Sequence, residues 1–369
     1  MSPFDFRPRT RVIFGNGEFA RLGEVARELG GTRCLLVADP GMVEAGYAKE
    51  AIRSLRARRM EVFAFHDFDS NPTAAMMEAG RDYATPNQID LIVGLGGGSS
   101  LDCAKGINLI LSNGGRIEDY RGYGKAARAM LPMIAVPTTA GSGSEAQTFC
   151  IVTDPSTGAR VACGDPKLAF RAAVLDPKLT LSQPRELAAS TGYDALSHAL
   201  ETLVTTRHTA LSDCFARSAW RLTNSAFPRM LEDPGDLEAR GAMLLGAHFG
   251  GLAVENSMLG AAHACAGPLQ SHYGLPHGTA VALVLPHVVR WNRPVAGDRY
   301  DDLRAGDLEQ RLRKFSEAAA FPLSLREAGV PASALPRLSD EAAAQWTGRF
   351  NPRPLDAAGA LEIYEWALG

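Results

Sequence analysis

Short apolar runs alternate with amphipathic stretches along the first half of the chain. Runs rich in valine, isoleucine, leucine and phenylalanine are typical of strands buried on both faces, and the stretches between them have the apolar spacing of helices. This alternation predicts a parallel sheet covered by helices. The predicted strands are RVIF (11–14), CLLVAD (34–39), EVFAFH (61–66), DLIVGL (90–95) and MIAVPT (133–138), with helices near 18–29, 47–58 and 73–84.

The pattern changes near residue 183, after which nearly every stretch has helical periodicity. A segment with a proline near each end, DPKLTLSQP (176–184), separates the two patterns and is predicted to join two domains. We therefore expect an α/β amino-terminal domain with a parallel sheet over residues 1–180. An all-α domain is expected over residues 181–369.

Composition excludes several classes of function. Hydrophobic residues make up 46% of the chain and charged residues 21%, and the net charge is -3, which is the profile of a globular protein with no nucleic-acid partner. The sequence has no apolar run of membrane-spanning length and no signal-peptide core, so a cytoplasmic protein without a membrane partner is expected. The 6 cysteines include no Cys-x-x-Cys pair and are expected to be reduced and buried.

A glycine-rich turn follows the fourth predicted strand and opens a helix in DLIVGLGGGSSLDCAKG (90–106). Gly97 and Gly98 let backbone N–H groups approach a phosphate with no side chain between them. Ser99 and Asp102 have the spacing of a capping box, which predicts where the helix begins. A tight turn without a ligand is the alternative, and three successive glycines favour the phosphate.

A second candidate phosphate loop, FGNGEFA (14–20), has the Gly-x-Gly-x-x-Ala form of a dinucleotide fingerprint. Spacing alone leaves both loops open. Asp39 closes the next predicted strand, where a carboxylate accepts hydrogen bonds from ribose hydroxyls and repels a 2′-phosphate. Asp39 therefore favours NAD over NADP as the cofactor.

A third polar run, VPTTAGSGSEAQT (136–148), ends another predicted strand. The hydroxyls of Thr138 and Thr139 can donate hydrogen bonds to phosphate or ribose. An ordinary turn of small residues fits the same letters equally well. The run by itself does not decide between these two interpretations.

One carboxylate and three histidines in the second half form a candidate metal site. Asp194 and His198 lie four positions apart in TGYDALSHALE, and therefore on one face of a helix. His263 lies in a helical stretch that a Gly-Pro pair (267–268) is predicted to break, and His277 is predicted to open a further element. Three neutral imidazoles and a carboxylate suit Fe²⁺ or Zn²⁺. By pattern alone, the 194/198 pair also fits the solvated stripe of an ordinary helix.

Together these motifs resemble the iron-dependent (group III) alcohol dehydrogenase family. The resemblance runs nearly end to end, through FGNG, SNPT, GGGSSLDCAKG, PTTAGSGSE, TGYDALSHALE and LPHGTAVALVLPHVVRWN. It implies a dinucleotide-binding α/β domain and a helical domain, an architecture shared with dehydroquinate synthase, and a homodimer. It also implies hydride transfer between the nicotinamide and a small alcohol or carbonyl substrate held at the metal.

The resemblance also assigns roles to particular residues. Pyrophosphate is placed on Gly97, Gly98 and Ser99, so that FGNG is not the main phosphate loop. The metal ligands that it implies are Asp194, His198, His263 and His277. Further cofactor contacts are implied for Asp39, Asn71, Asp102, Thr138, Thr139 and Arg160, the last of which stands where a lysine is frequent.

Several positions depart from the family pattern. Gly267 stands where many members have a second histidine, Gln147 replaces a threonine, and Val254 and Glu255 replace an aromatic and a small polar residue. We predict that Gly267 leaves space for Gln147 or Glu255, in a pocket shaped for a polar or larger substrate. His272 is the nearest remaining histidine and is a weak proton-relay candidate.

Two other activities share this architecture. A cyclising lyase of the dehydroquinate synthase type needs several lysines and arginines for a phosphorylated substrate, and the candidate metal region has few. A metal-free reductase of the maleylacetate reductase type lacks metal ligands, whereas all four are present here. An NAD-dependent, metal-dependent alcohol dehydrogenase or aldehyde reductase is therefore the leading interpretation.

Overall fold

A computed structural model describes residues 3–154 and 160–369 of the chain. The chain forms two compact units. One unit consists of the described residues 6–139, 143–154 and 160–183. The other consists of the described residues 3–5, 140–142 and 184–369. None of the described helices combines the length and the apolar character needed to cross a membrane.

The first unit contains a six-stranded parallel sheet and a separate three-stranded sheet. Its strands are β1 Arg11–Phe14, β2 Arg33–Ala38, β3 Glu61–Phe65, β4 Leu91–Gly96, β5 Gly122–Tyr123, β6 Met133–Pro137, β7 Phe149–Thr153, β8 Arg160–Gly164 and β9 Ala172–Leu175. The order in the larger sheet is β1-β9-β6-β4-β2-β3, and all its pairs are parallel. The smaller sheet has the order β5-β8-β7, with β7 and β8 antiparallel.

Helices lie between the strands of the first unit and make up the described part of the second unit. In the first unit they are α1 Leu22–Glu28, α2 Pro40–Glu44, α3 Tyr47–Ala57, α4 Ala74–Ala84 and α5 Gly98–Asn113. In the second unit they are α6 Arg185–Val204, α7 Ala210–Glu232, α8 Leu237–Ser257, α9 Ala261–Tyr273, α10 His277–Asp301, α11 Leu308–Ala318, α12 Leu335–Ala344 and α13 Ala357–Leu368. The predicted fold class, a parallel α/β region followed by an all-helical region, is confirmed.

The five predicted strands are five of the six strands of the larger sheet: β2, β4 and β6 lie inside it, and β1 and β3 form its edges. Every residue of β4 and β6 is buried, which explains why these strands are continuous apolar runs. Leu22, Val25 and Leu55 from the flanking helices pack into the same core as Leu36 and Val93 of the sheet. Burial of this core fixes the loops that follow β2, β4 and β6.

The larger sheet reverses its direction of growth between β2 and β4. From β2 the chain passes to β3 on one side, and β4 then pairs with β2 on the other side before the chain continues to β6. In open α/β sheets, ligands bind beyond the carboxyl ends of the strands at such a reversal. Asp39 follows β2 and Gly97 follows β4, so two predicted nucleotide-binding residues lie at this point.

The helical unit is built around α6. Every residue from Gly192 to Val204 is buried, as expected of a helix that neighbours cover on all sides, and α6 packs against α7, α8 and α10. The polar residues of this stretch are therefore not a solvated stripe, and that alternative for Asp194 and His198 is excluded.

The predicted break at Gly267-Pro268 is wrong, because α9 runs continuously from Ala261 to Tyr273. A proline ring clashes with the Cβ atom of a preceding helical residue, and Gly267 has no Cβ. The prediction that His277 opens a further element is confirmed, since Pro276 is the N-cap residue of α10 and His277 is the first residue of that helix.

Candidate metal and nucleotide sites

Four side chains of the helical unit converge on one point. Oδ1 of Asp194 lies 3.4 Å from Nε2 of His198, 3.4 Å from Nε2 of His263 and 3.3 Å from Nε2 of His277. The ring centroid of His263 lies 5.1 Å from that of His198 and 5.2 Å from that of His277. The structure therefore brings together the four residues that the resemblance implied as metal ligands.

Three helices position these side chains. Asp194 and His198 are one turn apart on α6, which places both on one face. His263 lies in the first turn of α9, and His277 is the first residue of α10. The site is thus formed where the beginnings of two helices meet the middle of a third.

The donor set fits a divalent cation. Oδ1 of Asp194 and Nε2 of His263 are buried and have no hydrogen-bond partner among the described residues, an arrangement that is costly unless another group supplies the partner. Ligand atoms about 2.1 Å from a tetrahedral metal lie about 3.4 Å from one another. The separations from Asp194 Oδ1 match this spacing, and the ligand atoms of Asp194, His263 and His277 all lie within 4.8 Å of one another. These three residues, with His198 beside Asp194, fit an ion such as Fe²⁺ or Zn²⁺.

Hydrogen bonds at the Nδ1 atoms orient two of the imidazoles. Nδ1 of His263 contacts Oε2 of Glu201, whose Oε1 accepts the backbone N–H of Ala262 at 2.7 Å. Nδ1 of His277 lies 2.8 Å from Oε1 of Gln270. A proton held on Nδ1 leaves the lone pair of Nε2 available for a metal. Glu201 is absent from the predicted site residues, although it lies three positions after His198 on the same helix.

The charges of the cluster stabilise an ionised carboxylate. Burial raises the pKa of Asp194, but His198 and His277 outweigh it and hold that pKa well below its ordinary value. Burial lowers the pKa of His198 to about 4. For His263, burial lowers the pKa, but the charges of Glu201 and Asp194 raise it to about 9. Binding of a cation at neutral pH would therefore displace a proton from His263.

The nucleotide candidates lie at the start of α5. Gly97 is the N-cap of this helix, Gly98 is its first residue, and no side chain caps it, so its backbone N–H groups are available to an anion. The capping box predicted from Ser99 and Asp102 is wrong, because the helix begins before Ser99. Ser99 Oγ instead accepts the backbone N–H of Asn71 at 3.1 Å, which brings these two predicted cofactor residues together.

Asp39 links the end of β2 to α5. Its Oδ2 accepts a hydrogen bond from Ser100 Oγ at 2.7 Å, and its Oδ1 accepts the N–H of Met42 at 3.2 Å and so caps α2. A Cβ atom on Gly97 would lie 3.1 Å from the side-chain methyl of Thr139. The backbone N–H of Thr138 donates to the carbonyl of Gly96 at 3.0 Å. These predicted residues therefore share one edge of the sheet.

Asp102 and Arg160 lie on the other side of α5. Asp102 accepts hydrogen bonds from Ser144 Oγ at 2.6 Å and from the backbone N–H of Ile151 at 3.1 Å. Burial raises the pKa of Asp102, and the positive charges of Lys105 and Arg160 act against that rise. Arg160 is the exposed first residue of β8. Asp102 is thus held by internal contacts.

The competing loop FGNG leads from β1, the edge strand, into a four-residue 3-10 turn, Glu18–Arg21. The backbone N–H of Phe19 in this turn donates to Oδ2 of Asp176 at 3.0 Å. An internal carboxylate therefore occupies a donor that a phosphate would need. The placement of the pyrophosphate on the loop after β4 stays a prediction.

The pocket candidates are placed differently from the prediction. The three atoms nearest to a Cβ built on Gly267 all belong to the side chain of Gln345, at 3.5 to 3.9 Å, and not to Gln147 or Glu255. Gln147 ends the 3-10 turn Ser144–Ala146 of the first unit. His272 Nε2 lies 2.7 Å from Oε2 of Glu341. Nine residues after His263, it projects from the opposite face of α9.

This chain combines an α/β nucleotide-binding fold with a cluster of one carboxylate and three imidazoles. That combination is typical of a metal-dependent dehydrogenase. A family model described as iron-containing alcohol dehydrogenase matches residues 8–177, and one described as the carboxy-terminal part of the Fe-containing alcohol dehydrogenase family matches residues 188–368. The chain belongs to the iron-containing alcohol dehydrogenase family. It is an oxidoreductase that acts on CH–OH groups.

Similar proteins cover the whole chain. The NAD-dependent methanol dehydrogenase of Bacillus methanolicus is 30% identical over 98% of this chain and 99% of its own. The 1,3-propanediol dehydrogenase of Citrobacter freundii is 29% identical over 99% of each. A crystal structure of a 1,3-propanediol oxidoreductase has a TM-score of 0.95 at 29% identity and covers 100% of both chains. The similarity therefore extends over both units.

Proposed function

We propose that the chain oxidises small alcohols to aldehydes, and reduces such aldehydes, with NAD and one Fe²⁺ bound by Asp194, His198, His263 and His277. The convergence of three Nε2 atoms on one buried carboxylate oxygen is the observation that carries this proposal. The proposed site residues therefore lie in two regions, with nucleotide contacts within residues 1–180 and metal ligands within residues 181–369.

A divalent cation bound at this site acts as a Lewis acid on an alcohol or carbonyl oxygen. Asp194 supplies a buried negative charge that balances part of the charge of the ion. Glu201 accepts a hydrogen bond from Nδ1–H of His263, and Gln270 accepts one from Nδ1–H of His277. Both Nε2 atoms are thereby oriented toward Asp194. The side chains of Asp194, His198 and His263 are nearly buried, whereas that of His277 is 27% exposed.

The residues of the first unit bind and orient NAD in this proposal. The free N–H groups at the start of α5, from Gly97 to Ser99, bind the pyrophosphate. Asp39 accepts hydrogen bonds from the adenosine ribose hydroxyls and disfavours a 2′-phosphate, so NAD is preferred over NADP. Thr138 and Thr139 complete the edge on which the nucleotide lies, with Asn71, Asp102 and Arg160 as further candidates.

The proposal also includes the identity of the native ion and the oligomeric state. Zn²⁺ accepts the same ligands as Fe²⁺, and the family supports iron. A homodimer and a cytoplasmic location stay predictions. A metal-free reductase is disfavoured because all four donor groups are present and converge.

A substrate screen tests the proposal. Enzyme loaded with Fe²⁺ is offered short primary alcohols with NAD or with NADP, and reduced nicotinamide is followed by its absorbance. We expect turnover of at least one alcohol, with a higher kcat/KM for NAD than for NADP. Absence of turnover with every alcohol and every matching aldehyde would contradict it.

A further inference from the structure

One face of α9 runs along the metal cluster. His263 and Gln270, seven residues apart on this helix, lie on the same face. His263 faces Asp194 directly, and Gln270 Oε1 lies 2.8 Å from Nδ1 of His277. Gly267 is between them on the same face, about 6 Å along the helix from His263. The surface over Gly267 is therefore on the side of α9 that faces the cluster.

Gln345 occupies that surface. It directly follows α12 and precedes a 3-10 turn, Trp346–Phe350, and its backbone N–H donates to the carbonyl of Ala342 at 3.1 Å. Its carboxamide nitrogen lies 3.5 Å from the position that a Cβ on Gly267 would take. A histidine at position 267 would compete for this space, so glycine here permits the glutamine.

The carboxamide of Gln345 is available to a ligand. It is half-buried, and among the described residues it has no hydrogen-bond partner. A glutamine side chain has two N–H donors and a carbonyl acceptor, and a site that places such groups beside a substrate discriminates by the hydrogen bonds they make. It carries no charge, which suits a neutral hydroxyl or carbonyl group.

We propose that Gln345 is a substrate-specificity residue, whose carboxamide hydrogen-bonds a second oxygen function on the alcohol or aldehyde that reacts at the metal. This inference rests on the proposed function. The substrate class is a short alcohol or aldehyde with a second hydroxyl or carbonyl group.

Matched substrate pairs test the inference. In propane-1,3-diol and butan-1-ol, and in ethane-1,2-diol and propan-1-ol, a hydroxyl is exchanged for a methyl group of similar size. We expect the protein to prefer the diol in at least one pair. Gln345→Met should lower the diol-to-alkanol ratio of kcat/KM for that pair by about 3- to 10-fold, the worth of one lost hydrogen bond.

A conservative variant and a matched control variant are tested alongside Gln345→Met. Gln345→Glu retains oxygen acceptors and should keep most of the diol preference, and Gln310→Met, at an exposed position of α11, should leave the ratio unchanged. Metal content and thermal midpoint are measured for each variant. A ratio that Gln345→Met leaves unchanged in folded, metal-loaded protein would overturn the inference alone. No turnover by the unaltered protein, with these alcohols or with any other alcohol or aldehyde of the substrate screen, would overturn the proposed function as well.

Discussion

Glu201 holds both the first turn of α9 and the imidazole of His263 with a single carboxylate. One oxygen accepts the N–H of Ala262 at 2.7 Å and the other contacts Nδ1 of His263. The N-cap of α9, Gly260, provides no side-chain cap. Glu201 therefore replaces the cap from another helix and fixes the tautomer of a metal ligand through the same group.

Glu201→Gln should weaken metal binding. A glutamine has one oxygen to accept from two donors, so either the Ala262 N–H or the His263 Nδ1–H loses its partner. We expect the dissociation constant of the ion to rise by about 10- to 100-fold. Competition with a chromophoric chelator measures this constant on metal-stripped protein that is titrated with Fe²⁺ or Zn²⁺.

Glu341→Gln is the matched control for that change. Glu341 contacts His272, a histidine of the same helix, in a partly exposed pair outside the cluster. This variant should bind metal as the unaltered protein does. Equal effects of the two substitutions would show that loss of a carboxylate, and not support of His263, governs the affinity.

Asp39→Asn should reduce the preference for NAD over NADP. The carboxamide keeps an oxygen that can cap α2, but it removes the negative charge that repels a 2′-phosphate. We expect the NAD-to-NADP ratio of kcat/KM to fall by about 10-fold, which corresponds to loss of about 1.4 kcal/mol of discrimination. A ratio that does not move, in a variant with an unchanged thermal midpoint, would count against the role of Asp39 in cofactor choice.

Lys105→Met should destabilise the first unit. The Lys105 side chain is fully buried, and its Nζ donates to Ser144 O, Ser144 Oγ and Phe149 O at 2.7, 2.8 and 2.6 Å. Methionine removes these three hydrogen bonds and the cation 3.8 Å from Asp102. A loss of about 3 kcal/mol or more in the free energy of unfolding is expected, measured with urea. Lys125→Met, at an exposed lysine, should change it by less than about 0.5 kcal/mol.

One thiol per chain should react rapidly with an aromatic disulfide reagent in the native protein. Cys214 is exposed, contrary to the prediction of buried cysteines, whereas the other five are buried. Burial raises the pKa of the Cys34, Cys103 and Cys265 thiols well above the ordinary value, which suppresses the reactive thiolate. Cys214→Ser should abolish the rapid phase, and denaturation should expose all 6 thiols in the unaltered chain.

Three of the four inner strands of the larger sheet, β2, β4 and β6, could be predicted from the sequence because burial on both faces leaves a continuous apolar run. The strands missing from the prediction are short or lie in the smaller sheet. β9, Ala172–Leu175, has four residues, and β7 alternates between buried and half-buried positions over Phe149–Thr153. Their pairing depends on residues distant in the chain, which no local pattern records.

The candidate metal site could be predicted only in part from the sequence. The spacing of Asp194 and His198 is the same whether the helix face is solvated or buried. The packing of α7, α8 and α10 around α6 buries this face. The same two interpretations, a solvated or a buried position, apply to Glu201. Gln345 carries no local signal, because its position over Gly267 arises from the packing of α12 against α9.

The central claim is that Asp194, His198, His263 and His277 bind one cation on which alcohol oxidation depends. The most direct test measures metal stoichiometry and NAD reduction in parallel, in stripped and Fe²⁺-reconstituted protein and in Asp194→Ala. The account predicts one ion per chain, activity that is lost on stripping and regained with the ion, and neither binding nor activity in the variant. Full activity of the stripped protein, or equal metal binding by Asp194→Ala, would contradict it.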